Sequence, residues 1–264
     1  MRLTRIAMLC LGLGLVAACS DDDVSAPTLP PLAGVRFINA VADTGAVDIR
    51  MIDQVDYTPT ANALQFRSGT EHQPAEAKAR HIRVFPTSMN QAITQNYLLD
   101  TTITIQANTR ITLLLTGSAR AKTLKFVTIT DDITAPAAGT IGVRLVNAGT
   151  GAVNGYLVDT TTTPIADPAA ASNVAVLGQS PYVNRNIGKA AVRVTDVGSA
   201  TVNASGLGPI ATVISGANPA AGVNSAGTKF SVYYFPRGVA GSPQNAVATP
   251  TVTWFVDRNP AETQ

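Results

Sequence analysis

The chain has 264 residues, 45% of them hydrophobic and only 14% charged, which is too apolar and too weakly charged for a disordered protein. With 19 Lys and Arg against 17 Asp and Glu, the net charge is only +2 and no basic block is large enough to neutralise a phosphate backbone, so a nucleic-acid partner is not expected. Aromatic residues make up 5%, while Gly (21) and Pro (16) are plentiful, a balance that favours short strands and turns over long helices.

From the start of the chain, Arg2 and Arg5 precede an uncharged, mostly apolar run from Ile6 to Ala18. That run is shorter than the about 20 residues a helix needs to cross a bilayer, and it has the length of a signal-peptide core. It ends in Val16-Ala17-Ala18-Cys19. This tetrapeptide resembles the lipobox of bacterial lipoproteins, an aliphatic and two small residues before a cysteine. The resemblance implies cleavage before Cys19, a diacylglycerol on its thiol and acylation of the new N-terminus. Residues 1–18 are thus the expected signal peptide. Cys10 lies within it, so the mature chain keeps Cys19 alone and has no pair for an intramolecular disulfide. Arg2 and Arg5 leave with the signal, and basic and acidic residues then balance at 17 each.

Acyl chains contribute about 0.8 kcal/mol per buried methylene, and two or three of them hold a protein on a membrane without a transmembrane helix. Ser20 stands where proteobacterial lipoproteins kept in the inner membrane resemble one another in carrying Asp, which points to the outer membrane. Asp21-Asp22-Asp23 reads as a solvated tether, with a surface-export signal as the sharper alternative. Residues 19–33, with Pro27, Pro30 and Pro31, read as an extended flexible linker.

A repeat follows. Val35-Arg36-Phe37-Ile38-Asn39-Ala40 returns as Val143-Arg144-Leu145-Val146-Asn147-Ala148, at an offset of 108. Gly45-Ala46-Val47-Asp48 returns as Gly151-Ala152-Val153-Asn154, and Arg80–Val84 resembles Ala190–Val194. A duplicated unit of about 100 residues has the size of a small β-sandwich. The pattern predicts one sandwich over 34–133 and a second over 141–258, joined by the Pro- and Ala-rich stretch 134–139, with a tail at 259–264.

Within each unit the apolar period is two. Val35 and Phe37 share a face, with Arg36 on the other. Ile111, Leu113 and Leu115 alternate with Thr112, Leu114 and Thr116. Phe230, Val232 and Tyr234 share a face, as do Val252, Trp254 and Val256. Ala107-Asn108-Thr109 reads as a hairpin turn, and Gly206-Leu207-Gly208-Pro209 as a break. Pro74–Arg80 and Pro168–Ser172 have room for one or two helical turns each. The prediction is an all-β chain of two tandem antiparallel sandwiches with apolar inner and Thr-rich outer faces.

The Val-Arg-apolar-apolar-Asn-Ala opening, the following Gly-Ala-Val-Asp, and the stretches Tyr97–Thr116 and Leu124–Asp132 resemble the domain-of-unknown-function 4397 family. The resemblance covers residues 34–132 and, less closely, 141–200. It implies an immunoglobulin-like fold in an exported or lipid-anchored bacterial protein, and it brings no catalytic residue with it.

The residues offer little chemistry. His72 and His81 are the two histidines; both read as polar surface residues, and neither lies in a zinc-binding spacing. No G-x-S-x-G elbow occurs, and Gly206-Leu207-Gly208 lacks the strand-turn-helix setting of a nucleotide fingerprint. Asp53, Asp56, Asp131 and Asp132 lack the spacing of a calcium loop. Asn39 and Asn147 end the first strand of each copy, where a turn-capping role outweighs a place on a binding surface. Trp254 and Tyr233-Tyr234-Phe235 offer a sugar platform on one reading and core on the preferred one.

The sequence therefore predicts a non-enzymatic, lipid-anchored protein of the bacterial outer membrane, facing the periplasm or the cell surface. Its tandem modules would act as a spacer or as a binding and interaction module. Its partners would be the membrane, through the lipid on Cys19, and an envelope protein or polysaccharide; no cofactor and no metal are expected. The alternatives are a carbohydrate- or cell-wall-binding adhesin and a hydrolase with an unrecognised site.

Overall fold

The computed structural model describes residues 28–53, 55–165, 168–212 and 220–260. The expected signal peptide, Cys19, most of the linker and the last residues of the tail lie outside the described residues. Among the described residues no helix is long and apolar enough to cross a membrane.

The first unit contains β1 (Leu32–Asn39), β2 (Val47–Met51), β3 (Thr60–Leu64), β4 (Gln73–Glu76), β5 (Ala79–Pro86), the single-turn α1 (Gln91–Thr94), β6 (Leu99–Thr104), β7 (Arg110–Thr116) and β8 (Lys125–Thr130). The second contains β9 (Thr140–Asn147), β10 (Val153–Val158), β11 (Ala171–Val174), β12 (Val183–Asn186), β13 (Ala191–Asp196), β14 (Val202–Leu207), β15 (Lys229–Phe235) and β16 (Thr251–Arg258). Each unit is a sandwich of two four-stranded sheets. The orders are β4-β1-β7-β8 and β3-β2-β5-β6 in the first unit, and β12-β9-β15-β16 and β11-β10-β13-β14 in the second. The all-β expectation holds.

Three local expectations need correction. The sheets are antiparallel except for one parallel pairing in each unit, β1 with β7 and β9 with β15. Alternation of side chains is the same in either direction, so the sequence period carries no signal of strand sense. The turn at residues 107–109 is not a hairpin: β6 pairs with β5 while β7 pairs with β1 and β8, so the turn carries the chain from one sheet to the other. Asn108 makes the corner in the left-handed region (φ 58°) and donates its backbone N–H to Leu32 O at 2.8 Å. Finally, most of Pro74–Arg80 is strand. Pro74 sits opposite Gly34 on the edge strand β4, where a missing N–H is tolerated.

Each sandwich encloses its own core. Val35, Phe37, Ile49, Ile82, Val84 and Leu113 fill the first; Val143, Val192, Val194, Phe230 and Val232 fill the second. A third core lies between the sandwiches. Ile38, Leu114 and Ile129 of the first unit meet Val146, Tyr233 and Phe235 of the second. The sheet containing β1 and the sheet containing β9 therefore face each other, and strands such as β7 and β15 are buried on both sides. The expected outward, Thr-rich face of these two sheets is an internal contact instead.

Candidate functional site

The densest cluster of reactive side chains lies in that contact, and it begins with the repeated arginine. Arg36 in β1 and Arg144 in β9 both point away from their own sandwich core, as the alternation requires, and both are nevertheless buried. Directly across the parallel pairing stand hydroxyl residues, Thr112 opposite Arg36 and Ser231 opposite Arg144. Arg36 Nε donates to Thr112 Oγ1 at 3.0 Å, and Arg144 Nε donates to Ser231 Oγ at 2.6 Å. Each hydroxyl donates onward to a buried carboxylate of its own unit: Thr112 to Asp131 Oδ2 at 2.7 Å, Ser231 to Asp257 Oδ2 at 2.6 Å.

The guanidinium ends cross over. Arg36 donates to Asp257 Oδ1 at 2.7 Å and to Val256 O at 3.0 Å, both in the second unit. Arg144 donates to Asp131 Oδ1 at 2.5 Å and to Thr130 O at 3.0 Å, both at the end of the first. The duplicated motif thus builds a pseudo-symmetric pair of crossed salt bridges with two positive and two negative groups. A buried charge is costly without a partner and hydrogen bonds, and here every charged end has both. Burial alone would lower the affinity of Arg36 for its proton, but Asp257 and Asp131 outweigh it and hold the group firmly charged. The Asp131 carboxyl is held below the usual range despite its burial, by the hydrogen bond from His72 and the charges of Arg36 and Arg144.

One aromatic residue caps each carboxylate. Tyr182 donates its hydroxyl to Asp257 Oδ2 at 2.8 Å, and His72 Nε2 approaches Asp131 Oδ2 at 2.9 Å. Both residues directly precede the strand that borders the repeated arginine's strand, β12 in one case and β4 in the other. His72 therefore is not the exposed loop residue that its polar neighbours suggest. Burial disfavours its protonated form and lowers its pKa. Asp131, just past the end of β8, is buried at the centre of the contact. Asp132 beside it pairs with Lys229 Nζ at 2.6 Å, which holds its pKa at about 2.

A histidine, a carboxylate and a hydroxyl invite a catalytic reading, but the geometry points elsewhere. His72 and Thr112 both reach the same oxygen, Asp131 Oδ2, instead of each other. The carboxylate therefore does not orient a base toward a nucleophile, as nucleophilic catalysis requires. Thr112, Ser231, Asp131 and Asp257 are all sealed from solvent. What the cluster does is fasten two sheets together.

The other residues singled out in the sequence are placed as follows. Asn39 and Asn147 are fully buried corner caps. Asn39 Oδ1 accepts from Val41 N at 2.9 Å and its Nδ2 donates to Leu64 O at 3.0 Å; Asn147 does the same with Gly149 N and Val174 O. His81 lies on the outer face of β5 and meets Asp100. Asp53 pairs with the buried Arg80 at 2.6 Å, and Asp56 is exposed. Tyr233 and Phe235 stack in the core between the sandwiches, and Trp254 packs edge-on to Phe230 in the second core. The residues offered as a sugar platform are thus used in packing. Among the described residues no three His, Cys, Asp or Glu side chains come together as a metal site.

Arg36, Arg144, Thr112, Ser231, Tyr182 and Asp257 carry the contact and escaped the sequence reading as a group. The available signal was an arginine at the same position in both copies, set between apolar residues on a face taken to be wet.

Comparison with known proteins bears on the first unit above all. Residues 33–156 match the family model described as "Domain of unknown function (DUF4397)". The match spans the first sandwich and reaches the second Val-Arg-Leu-Val-Asn-Ala and part of β10. No curated protein matches. Among solved structures, the chain is similar to a family 26 carbohydrate-binding module, CBMbc from Eubacterium rectale Amy13K, solved with maltoheptaose. Identity is 11% over 85% of this chain and 96% of that one, with a TM-score of 0.25. It is also similar to a candidate cell-adhesion protein from Bacteroides eggerthii DSM 20697, at 11% identity over 90% of this chain and 100% of that one, with a TM-score of 0.19. Overlap at that level carries no functional argument.

Proposed function

We propose that this chain, whose residues 33–156 match the DUF4397 family model, is a non-enzymatic, lipid-anchored envelope protein whose paired sandwiches act as one stiff module on the bacterial outer membrane. The observation that carries this reading is the crossed Arg36–Asp257 and Arg144–Asp131 contact. It consumes the ionisable and hydroxyl groups best suited to chemistry and spends them on joining the two units. A stiff body behind a Pro-containing segment suits a protein that holds its loop ends at a distance from a lipid surface, because rigid sheets present loops for contact. The lipobox Val16-Ala17-Ala18-Cys19 supports the anchor and the export route.

Fractionation of cells making Cys19→Ser tests the proposal. The variant is expected to leave the membrane fraction while keeping its melting temperature, and the mature wild-type terminus is expected to carry acyl chains by mass spectrometry. A Cys19→Ser protein that stays with the outer membrane, or an unmodified wild-type terminus, overturns the anchor. Protease treatment of intact against lysed cells then distinguishes the cell surface from the periplasm.

A further inference from the structure

The connection that follows the parallel strand is longer in the second copy than in the first. Between β7 and β8 it spans 117–124, folded onto Asp43, which accepts from Ser118 Oγ, Ala119 N and Arg120 N. Between β15 and β16 it spans 236–250. This longer loop leans onto the first unit: Val239 N donates to Ala42 O at 3.0 Å, and Gln244 Nε2 to Thr44 O at 2.9 Å. Its own turns are closed by Gly238 N to Val247 O at 2.8 Å and Ser242 Oγ to Val239 O at 2.6 Å. At Gly238 an added Cβ would stand 1.8 Å from Gln244 O, so the two arms of the loop are in close backbone contact. The loop is therefore held in shape from both sides.

Beside it lies an open cleft of about 660 Å³, lined by Thr150, Tyr234, Arg237, Val239, Asn245 and Pro250. Small-molecule sites commonly fall between about 300 and 1,000 Å³ and combine apolar walls with a few polar groups. Arg237 is the one charged residue in the lining. It is exposed and, among the described residues, has no hydrogen-bond or ion-pair partner. Other arginines of this chain, Arg36, Arg67, Arg80, Arg120 and Arg144 among them, reach carboxylate, hydroxyl or carbonyl oxygens within the fold. A planar guanidinium prefers a bidentate carboxylate.

We propose that this cleft binds a small carboxylate, with Arg237 gripping the anion and Val239 and the loop's Pro and Ala residues covering an apolar body. The site goes beyond the anchored-module reading and does not depend on the lipid, so it stands or falls separately. It is tested by calorimetric titration of residues 19–264 bearing Cys19→Ser with three probes: acetyl-Ala-Val as the free acid, its C-terminal amide, and D-glucuronate. At least one carboxylate is expected to bind saturably, with the amide about tenfold weaker or more. Arg237→Gln is expected to lose the binding while melting unchanged. The tighter carboxylate identifies the source, a peptide end or a sugar acid. Equal binding of acid and amide, retention of binding by Arg237→Gln, or no saturable binding of either carboxylate overturns the proposal.

Discussion

Arg36 and Asp257 stand 221 residues apart in sequence and meet at 2.7 Å with their side chains closed off from solvent. The repeat supplies the mirror contact, Arg144 with Asp131. Each arginine is held by a hydroxyl from its own unit and makes its shortest carboxylate contact with the other unit, Arg36 keeping only a longer contact of 3.5 Å to Asp131 of its own. This one relationship turns a tandem repeat into a single body, and the following outcomes depend on it.

Removing one partner should cost far more than removing both. Asp257→Ala leaves the buried Arg36 without its main carboxylate and is expected to destabilise the protein by about 3–5 kcal/mol, read from the midpoint of urea unfolding. Arg36→Met combined with Asp257→Leu removes the charges as a pair and is expected to recover most of that loss. A double variant as unstable as the sum of its singles would show that the charges are not coupled.

The contact should weaken in mild acid through His72. Burial lowers the pKa of His72 in the folded protein below the ordinary value of about 6.5, so the unfolded chain takes up its proton first. Stability is therefore full above about pH 6.5 and falls as pH drops from there toward the folded value. Asp131 has the carboxylate pattern. Its lowered pKa gives stability that is present above about pH 3.9 and is lost only as pH falls further. His72→Tyr, which copies the Tyr182 cap of the second unit, should flatten the loss that begins below about pH 6.5 and leave the lower one. Equal pH profiles for His72→Tyr and wild type would contradict this assignment.

Close packing at the contact is testable at Gly69. An added Cβ there would lie 2.7 Å from Phe255 Cε1 in the second unit and 2.9 Å from Ile38 Cγ1 in the first. Gly69→Ala is expected to cost about 1–3 kcal/mol by overpacking. At Gly45 nothing lies within 4 Å of the added atom, so Gly45→Ala should leave the melting temperature nearly unchanged. Comparable losses at the two sites would argue against tight packing between the sheets.

Much of the architecture was legible in the sequence. The Val-Arg-x-x-Asn-Ala repeat marked the first strand of each unit, the alternation in Ile111–Leu115 and Phe230–Tyr234 identified core-facing residues, and buried Asn39 and Asn147 cap the corners where capping was the preferred reading. The contact between units was hidden for a physical reason. A period of two separates the faces of a strand but does not say what covers the second face. Arg36 does point away from its own core; a second sheet lies there in place of water. The clue was that Phe37 and Ile38, Leu113 to Leu115, and Tyr233 to Phe235 are apolar on both faces, the composition of a strand buried on both sides. His72 was misjudged because its neighbours Glu71 and Gln73 are polar, whereas its own burial is set by Asp131, distant in sequence.

The central claim is that the crossed salt bridges and the core between the sheets make the two sandwiches one cooperative body. Differential scanning calorimetry of residues 19–264 carrying Cys19→Ser tests it most directly, beside the same protein with Asp257→Ala. The expected result is a single transition whose calorimetric and van't Hoff enthalpies agree, shifted as a whole to lower temperature by the substitution. Two separable transitions, with only the second unit's responding to Asp257→Ala, would contradict it.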